Sequence, residues 1–358
     1  MKKTVLAVPV ALLAAAALAG CAGGTAASSS SSSRPSAGKS DLAIVATTTQ
    51  VADFTRNVVG DLAQVTQLIQ PNASAHSFDP TAAELLAISQ ADVIVESGAG
   101  LETWLSKVTE AAGFKGTLVD SSQGVELGGD GDHDHDHGDD ADHADDHDDA
   151  DHADADGHTE NESGQEESKN PHIWMDPANA IIMVTNIADA LADKDPTNAA
   201  GFKKNAETYN AKLKKLDEWI ADSVDQVPAD KRLMVSNHDA FYYYTQAFDI
   251  DFVGSIIPNF EDNAEPSAAQ IQDLIDNIKK LGVKAIFSES AIDPKAAEQV
   301  AKSAGVTVYS GEDALYADSL GPAGSTGDTY IKAQIHNTTV ILSAWGAQPL
   351  TLPSDIQS

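Results

Sequence analysis

Residues 130–167 set the strongest limit on what this chain can fold into. The stretch begins "DGDHDHDHGDDADHADDHDD", carries 18 of the chain's 55 Asp and Glu, and contains no Lys, Arg, Val, Leu, Ile, Met or aromatic residue. With no apolar surface to bury against the entropy of ordering, it is expected to be disordered, so any core must be assembled from the residues on either side. It also holds seven of the eleven histidines: His133, His135, His137, His143, His147, His152 and His158. Imidazoles alternating with carboxylates suit many weak, interchangeable metal sites rather than one tight one, because a disordered chain loses entropy in assembling four ligands. A purely solubilising acidic loop is the plain alternative; the His/Asp alternation favours metal capture. The whole chain has 22 Lys and Arg against 55 acids, a net charge of −33. Such a surface repels phosphate backbones, which excludes nucleic acid as a partner, and it attracts cations.

The N-terminus reads as an export signal. Met1-Lys2-Lys3 precedes an apolar run from Val5 to Leu18, too short and alanine-rich for a membrane span. Leu18-Ala19-Gly20-Cys21 resembles a bacterial lipobox, in which Cys21 becomes the lipidated first residue once residues 1–20 are removed. Cys21 is the only cysteine, so no disulfide can form within the chain and the exported fold depends on its core. Residues 21–40 are Ser-, Gly- and Ala-rich and read as a flexible tether.

Beyond the tether, strand-like apolar runs alternate with helical periodicities. Strands are expected at Leu42–Thr47, Val65–Ile69, Ala91–Glu96 and Thr117–Asp120. Helices are expected at Val51–Val59, Pro80–Ser89 (capped by Asp79) and Leu101–Ala112. The same alternation resumes with strands at Arg232–Asn237, Asp251–Ile257, Val283–Ser288 and Val306–Ser310, and a last helix over Thr329–Trp345. The fold class is therefore α/β, with two similar lobes built on mostly parallel sheets. Between them Phe202, Ala206, Tyr209, Leu213, Leu216 and Ile220 recur at helical spacing, and Pro228 follows. That pattern predicts one long stiff helix joining the lobes. The expected organisation is a signal peptide at 1–20, a tether at 21–40 and an N-terminal lobe at 41–194 with the His/Asp-rich loop 128–169 inside it. A linking helix at 195–228 and a C-terminal lobe at 229–358 complete it.

Four histidines lie outside the acidic stretch. His76 sits in "PNASAHSFDPT", His172 in "NPHIWMDP", His238 in "MVSNHDAF", and His336 inside the last helix. Open parallel sheets bind ligands beyond the carboxyl ends of their strands, where His76 and His238 are expected. A lone loop histidine is usually just hydrogen-bonded or exposed, and His336 keeps that reading. The other three come from both lobes and could meet only in a cleft between them.

The segments "AHSFDPTAAEL", "NPHIWMDPANA", "MVSNHDAFYYY", "AEPSAAQI", "FSES" and "LYADSLG", in this order, resemble the zinc- and manganese-binding receptors of bacterial ABC importers. The resemblance covers nearly the whole mature chain, and the lipobox and His-rich insertion resemble the zinc branch. It implies four metal ligands, His76, His172, His238 and Asp318. The carboxylates Glu312, Asp313 and Asp328 lie nearby, and only the motif selects Asp318. It also implies two α/β lobes bridged by one rigid helix, with a metal cleft between them; the stiffness of that helix leads to an expectation of limited closure. The third position is Glu in some manganese-binding relatives, so His238 points to Zn²⁺, as three imidazoles and a carboxylate suit tetrahedral zinc. Manganese- or iron-binding within the same family, or a zinc buffer or adhesin without transport, remain the alternatives.

The expected ligand is thus Zn²⁺ as cargo. The expected partners are an ABC permease with its ATPase and a metallochaperone donor, the membrane being reached only through the lipid anchor. The receptor is expected to be a monomer on the outer face of the cytoplasmic membrane. His158 lies 14 residues before His172, and a flexible segment of that length spans roughly 20 Å. The tract is therefore expected to gather zinc for the main site. No H-E-x-x-H, G-x-S-x-G or P-loop pattern is present, and four protein ligands leave zinc no open position, so no enzyme activity is expected.

Overall fold

The computed structural model describes residues 38–129, 169–260, 262 and 264–357. Cys21, the leader, most of the tether and the seven tract histidines lie outside the described residues.

The first lobe runs β1 (Ile44–Ala46), α1 (Thr49–Val59), β2 (Val65–Gln67), α2 (Ala82–Gln90), β3 (Val93–Glu96), α3 (Leu105–Ala112) and β4 (Thr117–Asp120). All four strands pair in parallel, in the order β2-β1-β3-β4. β1 is Ile-Val-Ala and is buried throughout, as a sheet covered by helices on both faces requires. Three helix starts differ from expectation, α1 beginning at Thr49 rather than Val51. The cap of α2 is Thr81 rather than Asp79: the Thr81 hydroxyl accepts from Glu84 N at 3.3 Å, and the Glu84 carboxylate accepts from Thr81 N at 2.7 Å. This reciprocal box satisfies two free amides and leaves Pro80 outside the helix. α3 begins at Leu105 rather than Leu101. Glu102 turns back instead, accepting from Thr47 Oγ1 at 2.6 Å, Ser97 N at 2.7 Å and Gly98 N at 3.1 Å.

The chain continues through α4 (Pro177–Lys194), α5 (Ala199–Val224), β5 (Leu233–Ser236), α6 (Tyr242–Ala247) and β6 (Asp251–Ser255). It ends with α7 (Ala268–Leu281), β7 (Ala285–Phe287), α8 (Lys295–Ala304), β8 (Thr307–Tyr309) and α9 (Tyr330–Ala344). β5 pairs with β6 and β7 with β8, both in parallel, and β7 lies beside β5 to form the second α/β lobe. An isolated parallel bridge between Glu289 and Leu315 extends this layer past the end of β7.

The helix anticipated over 195–228 is α5, a 26-residue element about 39 Å long. It is shorter at both ends because Asp195 Oδ1 accepts from Thr197 N and Asn198 N ahead of it, and the chain leaves the helix before Pro228. Its apolar stripe, Phe202, Ala206, Tyr209, Leu213, Leu216 and Ile220, is buried. The helix packs along α4 and also touches α1 and α9, so the connection is a helical pair rather than a lone rod. Phe54, Trp174, Tyr244 and Tyr330 are fully buried at its centre, with Phe54 and Tyr330 edge to face at 4.9 Å. Each buried hydroxyl finds a partner: Tyr330 Oη donates to Trp174 O at 2.6 Å, and Tyr244 Oη meets Thr338 Oγ1 at 3.0 Å.

Candidate metal centre

His76, His172, His238 and Asp318, from four separate stretches of chain, come together with one ring nitrogen or carboxylate oxygen of each within 4.8 Å of the others. All four are buried, at 7, 0, 0 and 2 % exposure. His76 follows β2 and His238 follows β5, both at carboxyl ends of parallel strands, where such sheets present ligands. His172 stands just ahead of the 3₁₀ turn Ile173–Met175 that leads into α4. Asp318 rides on a loop held from the first lobe. Gln50 Nε2 and Trp174 Nε1 donate to Ala317 O at 2.8 and 3.1 Å, and Leu320 N donates to Thr49 Oγ1 at 2.8 Å.

A hydrogen bond orients one ring and a facing carboxylate a second. Asn170 Nδ2 donates to Asp239 O at 2.7 Å, which leaves Asn170 Oδ1 to accept from His172 N at 3.1 Å and from the ring Nδ1 at 2.8 Å. His172 therefore carries its proton on Nδ1, and Nε2 offers a lone pair. His238 Nδ1 lies 2.8 Å from Glu289 Oε2, and its backbone N–H donates to Glu289 Oε1 at 3.0 Å. Oε1 accepts from the backbone N–H and Oε2 faces Nδ1 as an ion-pair partner, and a carboxylate on that side places a ring proton on Nδ1. The freed Nε2 atoms then converge: His172 Nε2 is 3.2 Å from both His76 Nε2 and His238 Nε2. Asp318 Oδ1 lies 3.0 Å from His172 Nε2 and 3.4 Å from His238 Nε2, and its Oδ2 is 3.6 Å from His76 Nε2. Neither Asp318 oxygen takes a well-aligned hydrogen bond among the described residues.

Lone pairs facing one another in a buried site repel unless a proton or a metal cation lies between them. Ligands about 2.05 Å from a tetrahedral zinc stand about 3.3 Å apart; five of the six ligand pairs here stand 3.0 to 3.6 Å apart, and the sixth, His76 with His238, lies within 4.8 Å. The donor set fits a borderline divalent ion.

The charges respond to this crowding. Burial, the largest influence, holds His76 and His172 below the usual imidazole value, against the pull of Asp318. For His238 burial also pushes down, but the Glu289 and Asp318 carboxylates outweigh it and hold the ring well above that value. Burial pushes Asp318 up, and His238 and His172 together outweigh it, so the carboxyl sits well below the ordinary range.

His336 is not part of the cluster: on α9, its Nε2 meets Ala314 O at 3.0 Å and its ring packs on Tyr316. Glu312 and Asp313 are exposed, and Asp328 pairs with Lys332 Nζ at 2.8 Å. Sequence reading did not single out Asn170 or Glu289. Both stand inside quoted segments, "NPHIWMDP" and "FSES", but nothing in their spacing shows that they touch a ring nitrogen.

Two parallel-sheet α/β lobes with converging buried imidazoles define a class of metal-binding protein. The family described as the zinc-uptake complex component A, periplasmic (ZnuA), matches residues 44–344, and the chain belongs to that family of metal-binding substrate-binding proteins of ABC importers. It is accordingly a receptor and not an enzyme. Among similar proteins, the iron-binding protein YfeA of Yersinia pestis is 30% identical over 312 residues, covering 87% of this chain and 88% of that one. The manganese ABC transporter substrate-binding lipoprotein PsaA of Streptococcus mitis is 28% identical, covering 85% of this chain and 89% of that protein. The solved structure of the periplasmic zinc-binding protein TroA from Treponema pallidum shares the fold. Its TM-score is 0.68 at 23% identity, with 84% of this chain and 98% of that one covered.

Proposed function

We propose that this protein is a high-affinity zinc receptor that captures Zn²⁺ outside the cytoplasm and passes it to an ABC permease driven by its ATPase. The observation that carries this reading is the convergence of three Nε2 atoms and the Asp318 carboxylate at zinc-like separations, with two rings turned Nε2-inward by Asn170 and Glu289. His76, His172, His238 and Asp318 are the four ligands. Cys21 carries the lipid that keeps the receptor on the outer face of the membrane. The histidines from His133 to His158 act as weak auxiliary sites that gather zinc, and a metallochaperone serves as a further donor. The receptor works as a monomer.

One observation supports a second reading, in which the cargo is Mn²⁺ or Fe²⁺. Both Asp318 oxygens face the histidines, so the carboxylate can bind through two atoms and raise the coordination number, which harder ions favour. Relatives named for manganese and for iron point the same way. Competition titration of the mature protein with Zn²⁺ and Mn²⁺ against a chelator separates the two. Zinc should win by orders of magnitude, and the tight site should vanish in His238→Ala. Equal affinities, or Mn²⁺ preferred, would replace zinc as the cargo.

A further inference from the structure

Glu289 is 3 % exposed and stands beyond the end of β7, on the far side of His238 from the cluster. Three contacts tie it to the chain leaving β5. Its backbone N–H donates to Asn237 Oδ1 at 2.9 Å, while its two carboxylate oxygens take the N–H of His238 at 3.0 Å and face the ring Nδ1 at 2.8 Å. The chain leaving β5 and the chain leaving β7 thus grip each other at two consecutive residues, Asn237 and His238. Among the described residues, the ion-pair partners of Glu289 and Asp318 are the cluster histidines; neither pairs with a Lys or Arg.

Resting on the metal-site reading above, we propose that Glu289 is a positioning residue for the ion, acting through His238 in two ways. It fixes the ring and its tautomer so that Nε2 faces the other three ligands. It also places a second carboxylate against the His238 ring, on the side opposite Asp318. A carboxylate on Nδ1–H makes the opposite nitrogen a stronger donor, and loss of such a partner typically weakens metal binding ten- to a hundredfold. A glutamine at 289 removes the charge and has one acceptor oxygen: with that oxygen on Nδ1–H, its amide NH2 meets the His238 N–H and the bond there is lost. An alanine removes the charge and both acceptors.

The test uses the full mature chain with Co²⁺ as a visible probe and Zn²⁺ in chelator competition, for wild type, His172→Ala, Glu289→Gln and Glu289→Ala. Wild type should bind one tight ion with the intense absorption of tetrahedral cobalt, and His172→Ala should lose it. Glu289→Gln should keep the tetrahedral spectrum and bind zinc about ten- to a hundredfold more weakly. Glu289→Ala should bind more weakly still, with an altered spectrum. Melting of the ion-free variants is read alongside. If both Glu289 variants bind like wild type, or if affinity falls only in step with a collapse of the ion-free fold, the positioning role is wrong while the site stands. If wild type itself shows no tight ion, or His172→Ala keeps it, the site assignment fails and takes this inference with it.

Discussion

At the scale of single residues, the cluster is an arrangement of acceptors that proton and metal compete for. His76 and His172 are kept neutral near pH 7 by burial, ready to bind. His238 is held above the ordinary imidazole value by Glu289 and Asp318, so without an ion it carries a proton that zinc must displace. Affinity should therefore begin to fall already near neutral pH, above the usual value of about 6.5, by about tenfold per unit. It should fall more steeply once the depressed pair also protonates. Calorimetry at pH 7 in buffers of different ionisation heat should find about one proton released per zinc; none released would contradict the assignment. For the ion-free protein the sign reverses. The raised His238 stabilises the fold fully below about pH 6.5, and that contribution disappears as pH rises through its folded value. Replacing Asp318 by Asn removes the charged ligand and should cost well over tenfold in zinc affinity, measured by the same chelator competition.

Elements carry the ligands in unequal ways. The Asp318 loop belongs to the second lobe by sequence, yet it hangs from the first through Gln50, Thr49 and Trp174. Gln50→Ala should remove one of two donors to Ala317 O, costing about 0.5–1.5 kcal/mol of stability and weakening zinc several-fold without changing stoichiometry. The helix α5 is mechanical. Leu213 is fully buried on its inner stripe, so Leu213→Ala should lower unfolding free energy by about 2–5 kcal/mol in urea titration. Zinc affinity of the folded fraction should stay unchanged. A large loss of affinity would mean that α5 shapes the site directly.

Across the whole molecule, the ion ties together segments separated by up to some 240 residues, from His76 to Asp318. Binding only the folded state, zinc at a hundred times its Kd should add about 2.7 kcal/mol. Calorimetric melting should therefore shift upward by several degrees and return with a chelator. Because α5 packs on α4 along its length and touches α1 and α9, ion release should involve local loop movement rather than a wide swing of the lobes. Closely similar small-angle scattering with and without zinc would bear this out. Deleting residues 130–167 should leave one tight site and abolish several weak ones in a stoichiometric titration; loss of the tight site with the deletion would move it into the tract.

Much of this was legible in the chain. The alternation of apolar strand runs with helical stripes marks a parallel α/β protein, since burial on both faces of a sheet and one face of a helix writes itself into residue order. The stripe from Phe202 to Ile220 marks α5, and the motif segments select the four candidate ligands. Local competition was less visible: Thr81 and Glu84 capture the start of α2, and Glu102 abandons α3 to hold Ser97 and Gly98. Sequence alone also could not show that Asn170 and Glu289 touch ring nitrogens or that His238 is the basic member of the three. Nor could it show that the first lobe holds the Asp318 loop. Those depend on which atoms lie 3 Å apart after folding, and distances between remote residues are set by packing, which no local spacing records.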